Sequence, residues 1–231
     1  MRIDNWRPSV LRSPTRRPAR LLAAFAVLAV LGALQCASAS AATDTTQFSV
    51  TAGTLSFGTA PDVPNLPALT LNGQLQNLPA AMNNYSVSDA TGSGAGWNVT
   101  VNGDGSGGKS AVFKQYCPNA TCGTDSGPGY VTLGATLAPN SLTLSSTGAS
   151  FSAVSGTTGT APTHSCGSSC NVDSASAVRT VSAASGAGMG TYQTSGYGAS
   201  SLSLSAPTTI KTLQTNEVYR LDLLWSLNSG P

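Results

Sequence analysis

Short runs of alternating apolar and polar residues are the feature of this sequence that most restricts its fold. In YRLDLLWSL the large apolar positions share one face of an extended strand: Tyr219, Leu221, Leu223, Trp225 and Leu227. WNVTV places Trp97, Val99 and Val101 on one face in the same way. No long apolar stripe with the 3.6-residue helical period accompanies these runs. We therefore predict an all-β fold, an antiparallel β-sandwich or a barrel-like single domain, in which the last strand runs through the middle of a sheet.

Other segments support or leave open parts of this fold. QFSVTAGTLSF, YSVSD, SLTLS and SLSLS alternate as strands do, and NGDGSGGKS is typical of a glycine-rich loop. Residues 155–177 and 183–200 are rich in serine and glycine and poor in large apolar residues. These two stretches are either loops or strands of small residues.

The first 42 residues have the pattern of a cleaved secretory signal peptide. Six arginines precede an apolar run of fourteen residues and then a stretch of small residues. We expect cleavage after Ala39, Ala41 or Ala42, so that Cys36 leaves with the leader and residues 43–231 form a secreted β domain with Gly/Ser-rich loops. The alternatives are an uncleaved anchor, a twin-arginine signal or a lipoprotein, although Gln35 is a poor neighbour for an acylated cysteine.

Removing this leader changes the sign of the net charge. The whole chain is +2, but the leader holds six of the eleven basic residues and one of the nine acids, so the remainder is 5 − 8 = −3. A chain with so few basic residues has no patch for nucleic acid. We also expect no transmembrane segment in the mature chain.

Four cysteines remain outside the leader: Cys117, Cys122, Cys166 and Cys170. An even number in an exported chain predicts two disulfides, and local pairing within CPNATC and CGSSC is the simplest of three possible arrangements. A zinc site that also uses His164 is the alternative, but the cysteine spacings differ from the usual C-x₂-C. We expect neither a metal nor a cofactor.

Catalytic patterns are sparse. His164 is the single histidine, it lies in a polar stretch, and no nucleophile-elbow motif occurs, so we predict a solvated loop histidine and not a catalytic base. Asp89 is either a candidate acid or, as we favour, a cap on the turn that follows it. These observations predict a protein that is not an enzyme.

Two segments resemble the WxL surface domain of Gram-positive bacteria. Residues 85–101 contain an aspartate, a glycine-rich turn and Gly-Trp followed by a strand, and residues 218–227 form a tyrosine-led strand ending Trp-Ser-Leu. The matching positions are Asp89, Trp97, Val99, Tyr219, Trp225 and Leu227, with Val99 where the family pattern has leucine. The resemblance implies a secreted cell-surface protein that attaches non-covalently to the cell wall. Its implied partners are peptidoglycan or another wall polymer and, in addition, other surface proteins.

The role of the two tryptophans stays open from the sequence. Their positions on apolar strand faces favour a core role, while surface tryptophan is also a common sugar contact. If they are core, wall contacts come from the Gly/Ser loops or from Tyr116, Tyr130, Tyr192 and Tyr197. The alternative function is a structural or adhesive subunit whose sheet edges pair between chains.

Overall fold

The computed structural model describes residues 44–120, 122 and 127–231, so the predicted leader lies outside the described residues. The chain divides into two compact units, residues 1–48 and 49–231. Of the first unit only residues 44–48 are described, and they form no strand. The second unit contains fifteen strands and no helix among its described residues: β1 (Leu55–Thr59), β2 (Gln76–Ala80), β3 (Ser86–Asp89), β4 (Trp97–Gly103), β5 (Lys114–Cys117), β6 (Gly129–Tyr130), β7 (Leu142–Leu144), β8 (Ser150–Ala153), β9 (Thr163–His164), β10 (Cys170–Asn171), β11 (Val178–Ala183), β12 (Gly190–Ser195), β13 (Leu202–Ala206), β14 (Val218–Arg220) and β15 (Leu223–Ser229).

These strands form four antiparallel sheets. Sheet A has the order β1-β3-β12-β8, sheet B the order β10-β7-β13-β2, sheet C the order β15-β4-β11-β9, and sheet D the order β14-β5-β6. The prediction of an all-β antiparallel fold is therefore confirmed. No helix in the described part of the chain is long and apolar enough to cross a membrane.

One hydrophobic core is shared by sheets A, B and C. Its largest members alternate along their strands and are almost completely buried: Tyr85, Val87, Trp97, Val99, Val101, Leu142, Leu144, Val181, Leu202 and Leu204. Because alternate residues of a strand point to opposite sides, most of these strands contribute one mainly apolar face to this core and one mainly polar face to solvent.

Most of the predicted strands occur, and the structure shows what the two serine- and glycine-rich stretches form. The alternating segments around Val87, Val99, Leu142 and Leu202 are β3, β4, β7 and β13. The segment QFSV does not form a strand. The two serine- and glycine-rich stretches contain β9, β10 and β12, so they are partly strands of small residues.

The last strand differs from the prediction in two respects. It is divided at Leu221 and Asp222 into β14 and β15, because the Asp222 backbone turns away to bond Ser110 and Asp104 (N···O distances 2.9 and 2.8 Å). β14 belongs to sheet D and β15 to sheet C, and each lies at the edge of its sheet. The expectation of one continuous central strand is therefore wrong.

Candidate functional site

The two segments with the paired motif are neighbours in the fold. β15 pairs antiparallel with β4 over seven positions, from Leu223 opposite Gly103 to Ser229 opposite Trp97. Trp225 lies opposite Val101, and Leu227 lies opposite Val99. Segments that are about 120 residues apart in the sequence thus form one continuous two-stranded surface.

Trp97 is a core residue. Its side chain is 0 % exposed, as are those of Val99 and Val101. The indole Nε1 donates a hydrogen bond to the carbonyl of Gly188 at 3.1 Å, which satisfies the one polar group of the ring in the interior. A residue buried in this way does not contact a wall polymer in this conformation.

Trp225 has a different environment, although its sequence segment resembles that of Trp97. It is half-buried, and its ring centroid lies 6.2 Å from that of Tyr85. Leu227, the last motif residue, is also half-buried against the core. The difference arises because β4 has a strand on each side, whereas β15 is paired with β4 alone.

Trp225 and Leu223 line an open cleft of about 1080 Å³ that reaches the core. The cleft is also lined by five core side chains from other parts of the chain: Leu78, Phe113, Leu137, Leu142 and Leu204. One wall is the segment 61–71, which contains three prolines and no strand. The cleft thus reaches the margin of the core, where those core side chains are buried and Leu223 and Trp225 are only half-buried.

A charged and aromatic cluster stands at one side of the cleft. Arg220 bonds Asp222 at 2.9 Å and lies 4.5 Å above the Tyr116 ring. The Tyr130 hydroxyl and the Ser110 amide both donate to Asp222. Burial disfavours the ionised Asp222 side chain, but these hydrogen bonds and the guanidinium outweigh it and lower the pKa of its carboxyl below the usual value.

The motif residue Tyr219 belongs to the same side of the cleft. Its hydroxyl donates to the carbonyl of Lys211 at 3.0 Å, which ties β14 to the segment before it. Half-burial of the ring raises the pKa of the phenol. Tyr219 thus holds the cleft wall and leaves part of its ring exposed.

The opposite side of β4 and β15 carries amides, hydroxyls and one exposed leucine, Leu224. We call Asn98, Thr100, Asn102, Ser226 and Asn228 the outer face; these residues alternate with the core residues of the two strands. Asn228 Nδ2 donates to Asn98 Oδ1 at 3.2 Å, and Asn98 Nδ2 donates to the Gly230 carbonyl at 2.8 Å. Arg179, opposite Thr100 on β11, is the one Lys, Arg, Asp or Glu residue in the strands of sheet C.

Asp89, the remaining motif position, caps the turn after β3. Its Oδ1 accepts hydrogen bonds from Thr91 N at 3.0 Å and Thr91 Oγ1 at 2.6 Å, and the residue is only 4 % exposed. This is an Asx turn, as the sequence predicts.

His164 is not the solvated loop residue that the sequence suggests. It lies in β9, with its ring stacked on Phe151 at 4.5 Å between centroids and edge-on to Tyr197 at 5.6 Å. Its Nε2 is buried with no hydrogen-bond partner in the described part of the chain, and burial lowers the pKa of the imidazole. The sequence did not indicate this because the residues next to His164 are small and polar.

The cysteines pair locally, as predicted. Cys117 bonds Cys122 and Cys166 bonds Cys170, with sulfur–sulfur distances of 2.17 and 1.94 Å. The first bridge follows β5 and the second closes the turn before β10. Within the described ranges, no group of three or more His, Cys, Asp or Glu side chains is placed to hold a metal ion.

The other tyrosines considered as wall contacts have different environments. Tyr192 is 1 % exposed and belongs to the core region, and Tyr197 packs against His164. Tyr116 and Tyr130 contact each other edge to face, 5.0 Å apart, beside the charged cluster. Only the last two remain candidates for contact with a partner.

Comparison of the chain with protein-family models, with curated proteins and with solved structures finds no match in any of the three.

Proposed function

We propose that this is an exported, non-enzymatic protein that attaches non-covalently to the bacterial cell wall, with peptidoglycan as the polymer. The proposal rests on the WxL-like motifs of the sequence and on one observation in the fold. The two motif strands are direct neighbours, and their outward residues form a single surface that is polar except for the exposed Leu224. We assign the wall contact to this outer face and not to the tryptophans.

The chemistry of the outer face suits an uncharged sugar chain. Each asparagine offers both a donor and an acceptor, and each hydroxyl can do either, which matches the hydroxyl and acetamido groups of a glycan. Neighbouring strands are about 4.8 Å apart and alternate residues about 6.8 Å apart, so the surface offers a regular grid of hydrogen-bonding groups. No Asp or Glu lies in these two strands, so nothing there repels an acidic polymer.

The test is co-sedimentation of the exported protein with purified peptidoglycan. The double variant Ser226→Ala and Asn228→Ala removes two polar groups of the outer face from the edge strand. We expect it to bind about tenfold more weakly, since each lost hydrogen bond contributes about 0.5–1.5 kcal/mol. Asn98 is left intact because its bond to Gly230 also holds the chain end.

The matched control is Ser152→Ala with Gln193→Ala. These two residues are also exposed, polar and opposite each other, but they lie in sheet A. The control should sediment like the wild type and melt at the same temperature. Equal binding by the outer-face variant would overturn the assignment, and a wild type that stays in solution would overturn wall attachment itself.

A further inference from the structure

We infer that the cleft receives the N-terminal segment of a second copy of this chain, which adds as a strand along β15. The cleft is open to the core and is bordered by the edge strand that carries Leu223 and Trp225. An added strand with alternating apolar residues would cover the half-buried Leu223 and Trp225 and pair with the side of β15 that has no hydrogen-bonded strand in the described structure.

β15 is the longest sheet edge in the described part of the molecule, although β1 of sheet A also packs close to it. It is seven residues long, whereas every other edge strand has five or fewer. The sequence LLWSLNS contains no charge and no proline, the two usual devices that prevent edge pairing. By contrast β2, the edge of sheet B that also borders the cleft, contains Pro79, which has no N–H to donate.

The segment 46–51 has the composition of a strand without the pairing of one. Phe48 and Val50 alternate with polar residues and are 89 % and 80 % exposed. They are two of the largest apolar side chains left in solvent, and no charged residue occurs between Asp44 and Asp62. The sequence predicts a strand here, and a partner edge would provide one.

The position where this segment joins the domain points to another copy and not to the same one. Gly53 bonds Ala90, beyond the end of β1 where Leu55 pairs with Asp89. The cleft begins after the other end of β1, at Pro61, about 20 Å away for six residues of strand. From Gly53 to Phe48 there are five residues, which span about 17 Å at most and leave none for a reversal.

The arrangement is therefore head to tail. Each copy would offer a segment at one end and a cleft at the other, so that repeated addition gives a linear chain of domains. Removal of the predicted leader would leave the segment as a free N-terminal tail. This inference does not depend on wall attachment, because it uses the cleft and not the outer face.

The first test measures the mass of the exported protein by sedimentation velocity over a wide range of concentration. The wild type should form oligomers that grow with concentration. Phe48→Asp with Val50→Asp should remain monomeric, with self-association weakened at least about tenfold, since two apolar contacts are lost. The control Ser49→Asp with Thr51→Asp adds the same charge on the opposite, polar side of the segment and should still assemble more strongly than the first variant.

The second test uses a synthetic peptide of residues 44–52. The Phe48→Asp/Val50→Asp protein retains its cleft, so it should bind this peptide and not the same peptide carrying the two aspartates. Binding should change the fluorescence of half-buried Trp225. Three results would overturn the inference: a wild type that is monomeric at every concentration, equal assembly of the two double-aspartate variants, or no binding of the peptide to the protein. Insertion of the segment into its own cleft would show as a monomer whose Phe48 is protected, which also contradicts the inference.

Discussion

Trp97 and Trp225 lie in similar segments of the sequence but in very different environments in the fold. Trp97 is enclosed by strands on both sides and has its indole N–H bonded to Gly188. Trp225 stands on an edge strand, half-buried, beside a cleft. Two motif residues can thus be identical in type and in strand period, and yet the number of neighbouring strands decides which one is buried in the core and which one is partly exposed.

The largest expected difference is in stability. Trp97→Ala should lower the free energy of unfolding by about 3–5 kcal/mol, because it empties a closed site. Trp225→Ala should cost only about 1–2 kcal/mol, because part of the ring is already in solvent. Urea unfolding of both variants measures this. Equal losses would contradict the distinction between the two tryptophans.

Gly188 forms part of the site in which the Trp97 side chain is buried. Gly188 has a φ of +75°, and a Cβ there would lie 2.5 Å from Trp97 Nε1. Gly188→Ala should therefore destabilise the protein by about 2–3 kcal/mol and shift the emission of Trp97. Gly73→Ala is the control: its φ is +77° but a Cβ would meet nothing, so only about 1 kcal/mol of backbone strain is expected. Similar losses in the two variants would mean that Trp97 is loosely held.

On the edge-strand side the expected effect is smaller. Asp222→Asn removes the ion pair with Arg220 and weakens the bond from Tyr130, next to the break between β14 and β15. Because Arg220 is half exposed, solvent screens the pair, and we expect a loss of about 1 kcal/mol at pH 7. Asp44→Asn, at an exposed position, should change nothing measurable. A loss as large as that of Trp97→Ala would show that this cluster is part of the central framework.

The smallest effect expected is a pH dependence from His164. Burial lowers its pKa in the folded state, so the unfolded chain binds the proton more readily. The stability is complete above the unfolded pKa of about 6.5 and falls as the pH drops towards the folded value. Melting temperatures between pH 7.5 and 5 should decline in the wild type and decline less in His164→Gln. Identical slopes would place the imidazole in solvent.

The parts of the fold that follow from local patterns were predictable. Alternation identified β4 and β13 and the core role of Val99, because a strand with one buried face must alternate. The cysteine pairs were predictable because short separations favour local closure, and the Asp89 cap because aspartate bonds the backbone two residues on.

The parts that depend on which strands become neighbours were not predictable. The sequence does not show that β15 is an edge, that β2 and β15 leave a cleft between them, or that Phe151 and Tyr197 enclose His164. Each of these results from pairing between distant segments, and the pattern of a single sequence carries no signal for it. The outer face could not be predicted for the same reason, since Asn98 and Asn228 are 130 residues apart in the sequence.

Wall binding by the outer face is tested most directly by NMR, with the side-chain amides of Asn98, Asn102 and Asn228 followed while soluble peptidoglycan fragments are added. We predict that these amide resonances shift and that the indole N–H of Trp97 does not. If the indole of Trp225 and residues of the cleft shift while the three asparagines stay unchanged, the wall polymer binds in the cleft and the assignment to the outer face is wrong.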